Sequence, residues 1–349
     1  MENKQNLFGL TLDQLKQEIK LLELPGFTAS QIADWLYKKH ASQISDMTNI
    51  SKKSRDLLDQ KYTIQLITPT KVQTSLDGTK KYLFPTQTEK YIEAAYIPDR
   101  DRATLCVSTQ IGCKMNCLFC MTGKQGFQGN LSAGDIVNQI HSLPEFDKLT
   151  NVVYMGMGEP LDNVEAVLSS IEILTSDWGY AWSPKRITVS TIGIIPAMRT
   201  FLEKSNAHLA VSLHSPFDDE RAEIMPIQKT YPVTKVVEEI RKWDLGRQRR
   251  VSFEYIMFKN VNDTPRHAKE LIRLLNGLRC RINLIRFHPI PETPLEGTTL
   301  EGITQFQNIL RAKGMTVTLR ASRGEDIFAA CGLLSTKELI KRQAEKEQY

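Results

Sequence analysis

From about residue 104 onward, short runs rich in Val, Ile and Leu alternate with amphipathic stretches. No other feature limits the possible folds of this 349-residue chain as strongly. The apolar runs fall at 104–108, 152–157, 186–190, 209–213, 251–256, 282–286 and 316–319. Between them, 133–142, 164–174, 234–243, 266–275 and 302–312 carry apolar residues at helical spacing. Strands that short and that apolar are buried on both faces, so they pair in parallel and are joined by right-handed helical crossovers. Repeated strand–helix units predict an α/β fold, a partial (β/α) barrel whose chemistry gathers at the C-terminal ends of its strands.

The N-terminal 70 residues read differently. Thr11 is a capping-type residue ahead of apolar spacings of three and four, Leu24-Pro-Gly breaks that pattern, and Ser30 opens a second helix. The expected organisation is a helical accessory domain over 1–70, linking strands over 71–92, the barrel with a C-terminal catalytic loop over 93–335, and a helical tail over 336–349. Met1-Glu-Asn-Lys-Gln lacks the basic-then-apolar pattern of a signal peptide, and no apolar window approaches a membrane span. A cytoplasmic location without a membrane partner is therefore expected. The formal charge of +5 permits a nucleic-acid partner without arguing for one, because binding depends on clustering. Lys52, Lys53 and Arg55, the Arg-Gln-Arg-Arg run at 247–250, and Lys341 with Arg342 are the basic clusters available to phosphates; as a class, such runs are more often solvated faces.

Of six cysteines, Cys113, Cys117 and Cys120 stand in a C-x3-C-x2-C pattern just after the first barrel strand. Such grouping in a long chain points to metal or redox chemistry rather than to a disulfide framework. Thiolates suit zinc or iron–sulfur clusters. A structural zinc site needs four ligands, which Cys106 would have to complete. A cubane cluster held by three thiolates keeps one iron open to a substrate. Further along, the 153–160 run ends the second strand with Gly156, Gly158 and Glu159, where the backbone lets a ligand approach and a carboxylate can receive an ammonium group. Ser190, Ser212 and His214 close two later strands, as structural caps or as contacts to a ribose or carboxylate. Cys331 taken alone reads as an inert buried thiol, and so does Cys280.

Together these motifs resemble the RNA adenine carbon-2 methyltransferases of the RlmN family, within the radical S-adenosylmethionine superfamily. The resemblance runs from about Tyr91 to Leu334 and rests on Arg102 to Ser108, the cysteine cluster, Thr122-Gly-Lys-Gln-Gly-Phe, Met155-Gly-Met-Gly-Glu-Pro-Leu, Ser212-Leu-His, Met225-Pro-Ile, Asn260-Val-Asn-Asp and the Arg323-to-Gly332 run. The helical N-terminal part is similar to the family's accessory RNA-binding domain. The resemblance implies that Cys113, Cys117 and Cys120 ligate one 4Fe-4S cluster. It implies that Gly158, Glu159, Ser190, Ser212, Leu213 and His214 contact S-adenosylmethionine, two molecules of which are used per turnover. His288 departs from the family, which usually has Asn before the Pro, and an imidazole there can still hydrogen-bond the cofactor. Cys331 would carry the methyl group, Cys106 would resolve the product through a transient disulfide, and Glu93 would be the proton acceptor.

The implied chemistry has a physical reason. Carbon 2 of adenine is electron-poor, so ordinary methyl transfer from a sulfonium has no nucleophile to attack it. One S-adenosylmethionine would methylate Cys331. A second, cleaved by an electron from the cluster, would give a 5′-deoxyadenosyl radical that takes hydrogen from that methyl. The carbon radical would add to the adenine, Glu93 would remove the ring proton, and Cys106 would release the product by attacking the sulfur of Cys331. The implied partners are 23S rRNA before full ribosome assembly, tRNA, and a low-potential electron donor such as flavodoxin or ferredoxin, with the chain acting as a monomer. The target base would have to leave its stack. Two alternatives stand beside this: a carbon-8 methyltransferase of the same rRNA adenine, which confers antibiotic resistance, and a zinc-stabilised RNA-binding protein without catalysis. Gly158-Glu-Pro160 and Arg323-Gly324 look like the carbon-2 group, while the 190–196 and 212–216 runs echo the carbon-8 group.

Overall fold

The expected strands pair in chain order. The structure, a computed structural model, describes residues 4–86, 88–246 and 249–336. Its main sheet has ten strands: β1 (Lys71–Thr74), β2 (Lys80–Pro85), β3 (Tyr91–Asp99), β4 (Arg102–Cys106), β5 (Asn151–Tyr154), β6 (Ile187–Thr191), β7 (His208–Ser212), β8 (Val251–Met257), β9 (Arg281–Arg286) and β10 (Val317–Leu319). From β4 to β10 every neighbouring pair is parallel. The sheet stays open among the described residues, because β10 and β1 are its edges. It is a partial barrel. The segment expected as a linker extends this same sheet: β1, β2 and β3 add antiparallel to β4.

The helices are α1 (Leu12–Leu21), α2 (Phe27–Tyr37), α3 (Lys52–Lys61), α4 (Met121–Gln125), α5 (Ala133–His141), α6 (Val164–Thr175), α7 (Ile195–Lys204), α8 (Asp218–Ile224), α9 (Val233–Ile240), α10 (Pro265–Leu275) and α11 (Leu300–Ala312). Helices α4, α7 and α8 were not anticipated. Pro196 occupies the first turn of α7, where no intrahelical N–H is needed. The charge run of α8 masks its two buried positions, Arg221 and Ile224. Helix α2 starts at Phe27, ahead of Ser30, because Thr28 and Ala29 are buried and extend its packed face. Strand β5 ends at Tyr154, short of the expected 157: the backbone turns away there, with the Gly156 N–H bonded to the Val107 carbonyl at 3.0 Å.

One core fills the space between sheet and helices, with Val189, Val211, Phe253 and Leu284 fully buried on successive strands. Each such side chain contributes about 1.5–3 kcal/mol of burial. A second core holds the accessory helices, where Leu15, Ile19, Ile32 and Leu36 pack together with Val137 of α5 and Ile173 of α6. Thr11 caps α1 in a reciprocal capping box with Gln14, as its sequence position predicts. The expected tail over 336–349 lies outside the described residues apart from Thr336, as do Lys341, Arg342, Arg247 and Gln248.

Candidate active site

The C-terminal ends of the parallel strands open onto one cavity. Its wall includes Cys113, Cys117 and Cys120, Gly158 and Glu159, Ser190, Ser212, His214 and His288, and both Cys106 and Cys331. Cys106 and Cys331 are more than two hundred residues apart in sequence. Two expected residues lie off that wall. Leu213 is fully buried in the core, and its carbonyl is tied to Arg221. Glu93 sits behind the loop that carries Cys331.

The cysteine loop leaves β4 and turns tightly. Asn116 has φ +49, a left-handed conformation that Asn tolerates better than most residues. Gly112 has φ +72, and a Cβ there would lie 1.7 Å from the Gly126 carbonyl, which accepts from the Cys113 N–H at 3.2 Å. Only glycine permits that approach. Cys113 and Cys117 are buried with Met115 and Phe119 among Ile224, Met225 and Ile256. Burial pushes the Cys113 thiol up to about 12 and raises Cys117 well above its ordinary value. Such thiols ionise when a metal takes the proton's place. In a cubane each thiolate binds a different iron, so three thiols hold it without converging on one ion. The donor set, three soft thiols at the rim of a cavity, thus fits a cluster.

Glu159 begins the turn after β5. Its carboxylate accepts from the Thr191 hydroxyl at 2.6 Å, the Ile192 N–H at 3.0 Å and the Leu161 N–H at 3.1 Å. Burial raises it to about 7 against those donors. His214 has φ +57 and is buried. Its Nδ1 accepts from the Ile256 N–H at 3.0 Å, which places the ring proton on Nε2. Burial, aided by Arg221, lowers it to about 3, so the ring is neutral. Phe119, from the cysteine motif, meets it edge-on at 4.8 Å between centroids. His288 faces Glu325 at 3.6 Å.

The strand register assembles the remaining groups. Cys106 pairs with Ala95, Ala95 pairs with Lys81, and Leu83 pairs with Glu93. Side chains alternate with period two, so Lys81, Glu93 and Cys106 share one face. The Lys81 Nζ stands 3.1 Å from Glu93 and donates to the Phe328 carbonyl at 3.4 Å. The other Glu93 oxygen accepts from the Ser335 N–H at 3.0 Å. Burial raises the Glu93 carboxyl and Lys81 opposes that rise. Ala329 packs on Ala95 and Cys106, holding the 323–332 loop over β3 and β4. Burial lifts the Cys106 thiol to about 12, a neighbouring Cys331 charge adds to this, and Arg320 opposes it. Arg320 itself is raised above its ordinary value, mainly by Cys331.

Four residues of the site escaped the sequence reading. Lys81 and Arg320 have no motif of their own. Glu254 anchors a polar row inside the sheet: it accepts from Ser252 at 2.9 Å, Asn283 at 2.7 Å and Arg320 at 3.3 Å. A carboxylate in the middle of the apolar run 251–257 was its available signal. Arg221 is fully buried, although its neighbours in sequence, Asp218, Asp219, Glu220 and Glu223, are charged.

The chain is similar to known proteins along nearly its whole length. Residues 107–275 match the family model of the radical SAM superfamily, and residues 5–64 match that of the ribosomal RNA large subunit methyltransferase N-terminal domain. A probable dual-specificity RNA methyltransferase RlmN of Bacteroides thetaiotaomicron is 56% identical over 96% of this chain and 97% of its own length. The dual-specificity RNA methyltransferase RlmN of Syntrophus aciditrophicus is 41% identical over 97% of this chain and 99% of its own. A crystal structure of a radical SAM methyltransferase from Sphaerobacter thermophilus superposes with a TM-score of 0.86 at 39% identity, covering 95% of this chain and 99% of that one.

Proposed function

Because this chain belongs to the RlmN family of radical S-adenosylmethionine RNA methyltransferases, we propose that it methylates carbon 2 of an adenine at the peptidyl transferase centre of 23S rRNA and of an adenine in tRNAs. The observation that carries this reading is the meeting of Cys106 and Cys331 on the wall of the cavity that also holds the cysteine triad. A cysteine-free transfer would have no use for that pair. Cys113, Cys117 and Cys120 hold a 4Fe-4S cluster in this reading, and when bound it supplies one electron to cleave S-adenosylmethionine reductively.

The chain's own residues do the rest. Gly158 presents its backbone on the cavity wall beside the ligand's amino-acid part, Glu159 receives its ammonium group, and the Nε2–H of His214 donates into the cavity, with Ser190, Ser212 and His288 beside it. The Cys331 thiolate takes a methyl group from one S-adenosylmethionine and releases the thioether product. A second S-adenosylmethionine, held by the same residues and cleaved reductively, would supply the radical that takes one hydrogen from that methyl, which would make two per turnover. Once carbon 2 is bonded to the methylene on Cys331, Glu93 takes the ring proton. Its raised carboxyl is a stronger base than an exposed one. Lys81 holds Glu93 and the Phe328 carbonyl together, so base and cysteine loop keep one geometry. The Cys106 thiolate then attacks the Cys331 sulfur. The bond from sulfur to the methylene breaks, the methylene takes up a proton to become the product methyl, and a disulfide forms. The adduct's one unpaired electron would go back to the oxidised cluster, and two electrons from an external thiol reset the disulfide. Arg320 eases ionisation of Cys106, which burial opposes.

Among the described residues no helix is long and apolar enough to cross a membrane. In the proposed setting the chain acts as a cytoplasmic monomer, on 23S rRNA before ribosome assembly is complete, with a low-potential donor such as flavodoxin or ferredoxin. The deciding experiment is nucleoside mass spectrometry of 23S rRNA and tRNA after incubation with the reconstituted, reduced protein. Methyl groups at carbon 2 are expected. Methylation at carbon 8 without carbon 2, or none, would refute the reading.

A further inference from the structure

Arg221 is a buried cation of this site that no carboxylate touches among the described residues. It is fully buried. Its Nε donates to the Leu213 carbonyl at 2.9 Å, its Nη2 to the Ile192 and Ser212 carbonyls at 2.8 Å each, and its Nη1 to the Gln228 side-chain oxygen at 2.6 Å. All four acceptors are neutral. Among the described residues Arg221 forms no ion pair; the Asp218 carboxylate is bonded to Gln228 rather than to the guanidinium, and its charge favours Arg221 less than Cys117 does. Buried charges are normally paired, because removal from water is costly and neutral acceptors only partly offset it. A buried arginine surrounded by carbonyls therefore calls for an anion that is part of the working protein.

The direction of that anion is visible. Helix α8, which carries Arg221, is bonded to the cysteine loop, with the Leu118 N–H donating to the Ile224 carbonyl at 3.0 Å. Ile224 and Met225 pack directly among Cys113, Cys117 and Phe119. The arginine's three backbone acceptors are the C-terminal ends of β6 and β7, which also present Ser212 and His214 to the cavity. The guanidinium thus sits between the cysteine loop and the strand ends that would hold S-adenosylmethionine. Burial lowers Arg221 to about 10, and the largest opposing influence is Cys117. At neutral pH it remains a cation.

We propose that Arg221 is the internal counter-charge of the iron–sulfur cluster: a fixed cation between the cysteine loop and the ends of β6 and β7 that favours the cluster's reduced form. The proposal rests on the cluster assignment made above. Reduction adds one electron, supplied by the external low-potential donor, and no proton, so the cluster side of the site gains one unit of negative charge. A fixed cation nearby stabilises the reduced form more than the oxidised one. Arg221 is accordingly a positioning residue. It also locks the strand ends, and the test must separate charge from locking.

The test uses the full chain, reconstituted anaerobically with iron and sulfide, as wild type, Arg221→Gln and Arg221→Lys. Midpoint potentials come from redox titration followed by electron paramagnetic resonance. Arg221→Gln should shift to a more negative potential by at least a tenfold fall in the reduced-to-oxidised ratio at fixed poise, about 59 mV for one electron. Arg221→Lys, which keeps the charge and loses the fork, should shift less. The second readout is the gain in unfolding temperature on cluster loading. It should be larger in wild type than in Arg221→Gln, because only the wild-type cation is neutralised by the anion; a purely structural role would lower loaded and unloaded forms alike. Equal potentials, or equal gains on loading, would overturn the proposal. A wild-type chain that takes up no iron would instead overturn the assignment of the cysteines.

Discussion

Gly112→Ala offers the sharpest test of how the cysteine loop is built. Gly112 has φ +72, and an added Cβ would lie 1.7 Å from the Gly126 oxygen and 2.9 Å from its carbonyl carbon. The left-handed backbone costs an L residue about 1–2 kcal/mol. Relieving the clash means moving backbone, which falls in the overpacking range of about 1–3 kcal/mol. The sum is about 2–5 kcal/mol. Gly314 supplies the control: φ is +77, with nothing within 4 Å of the added Cβ, so Gly314→Ala carries only the backbone strain. At roughly 2 °C per kcal/mol for a chain of this size, Gly314→Ala should lower the unfolding temperature by about 2–4 °C and Gly112→Ala by about 4–10 °C. The two should diverge further in iron content. The Gly126 oxygen that must move accepts from the Cys113 N–H, so Gly112→Ala should bind markedly less iron after reconstitution while Gly314→Ala binds as much as wild type. Melting curves of the metal-free chains and iron-to-protein ratios read both effects. Equal melting shifts, with full iron in both variants, would show that the Gly112–Gly126 contact does not hold the loop.

Lys81→Met should move the acid limb of the methylation pH profile upward. Burial already raises the Glu93 carboxyl and Lys81 opposes it; removing the ammonium raises it further, and a base is lost as pH falls through its own value. A profile that stays in place or moves downward would discount Glu93 as the proton acceptor. Glu159 is held at about 7 by burial, and an ammonium group needs its ionised form. The KM for S-adenosylmethionine should therefore rise as pH falls through about 7, and Glu159→Gln should flatten that dependence; a KM equally pH-sensitive in the variant would count against this role. Cys106→Ala should halt turnover with RNA covalently attached to the chain, seen as a shifted band on denaturing gels that Cys331→Ala abolishes. Release of methylated RNA by Cys106→Ala at the wild-type rate would remove Cys106 from the product-release step.

The chain by itself determined whatever depends on local spacing. The alternation of apolar runs with amphipathic stretches dictated a parallel sheet in chain order, because strands buried on both faces need helical crossovers. The interval between Cys113, Cys117 and Cys120 announced a soft-metal site, and Thr11 announced the start of a helix. What only the tertiary structure decided depends on register and on charge in the interior. Glu93 meets Lys81 diagonally across β2 and β3, and Cys106 lies on that same face, because side chains alternate along paired strands; a one-residue slip would send each to the opposite side. Cys331 reaches Cys106 because Ala329 packs on Ala95, a contact with no local signature. Arg221 shows the limit most plainly. In sequence it is one charge in an acidic helix, and in the fold it is a buried cation bonded to two strand ends, since burial is a property of what the rest of the chain packs around a residue.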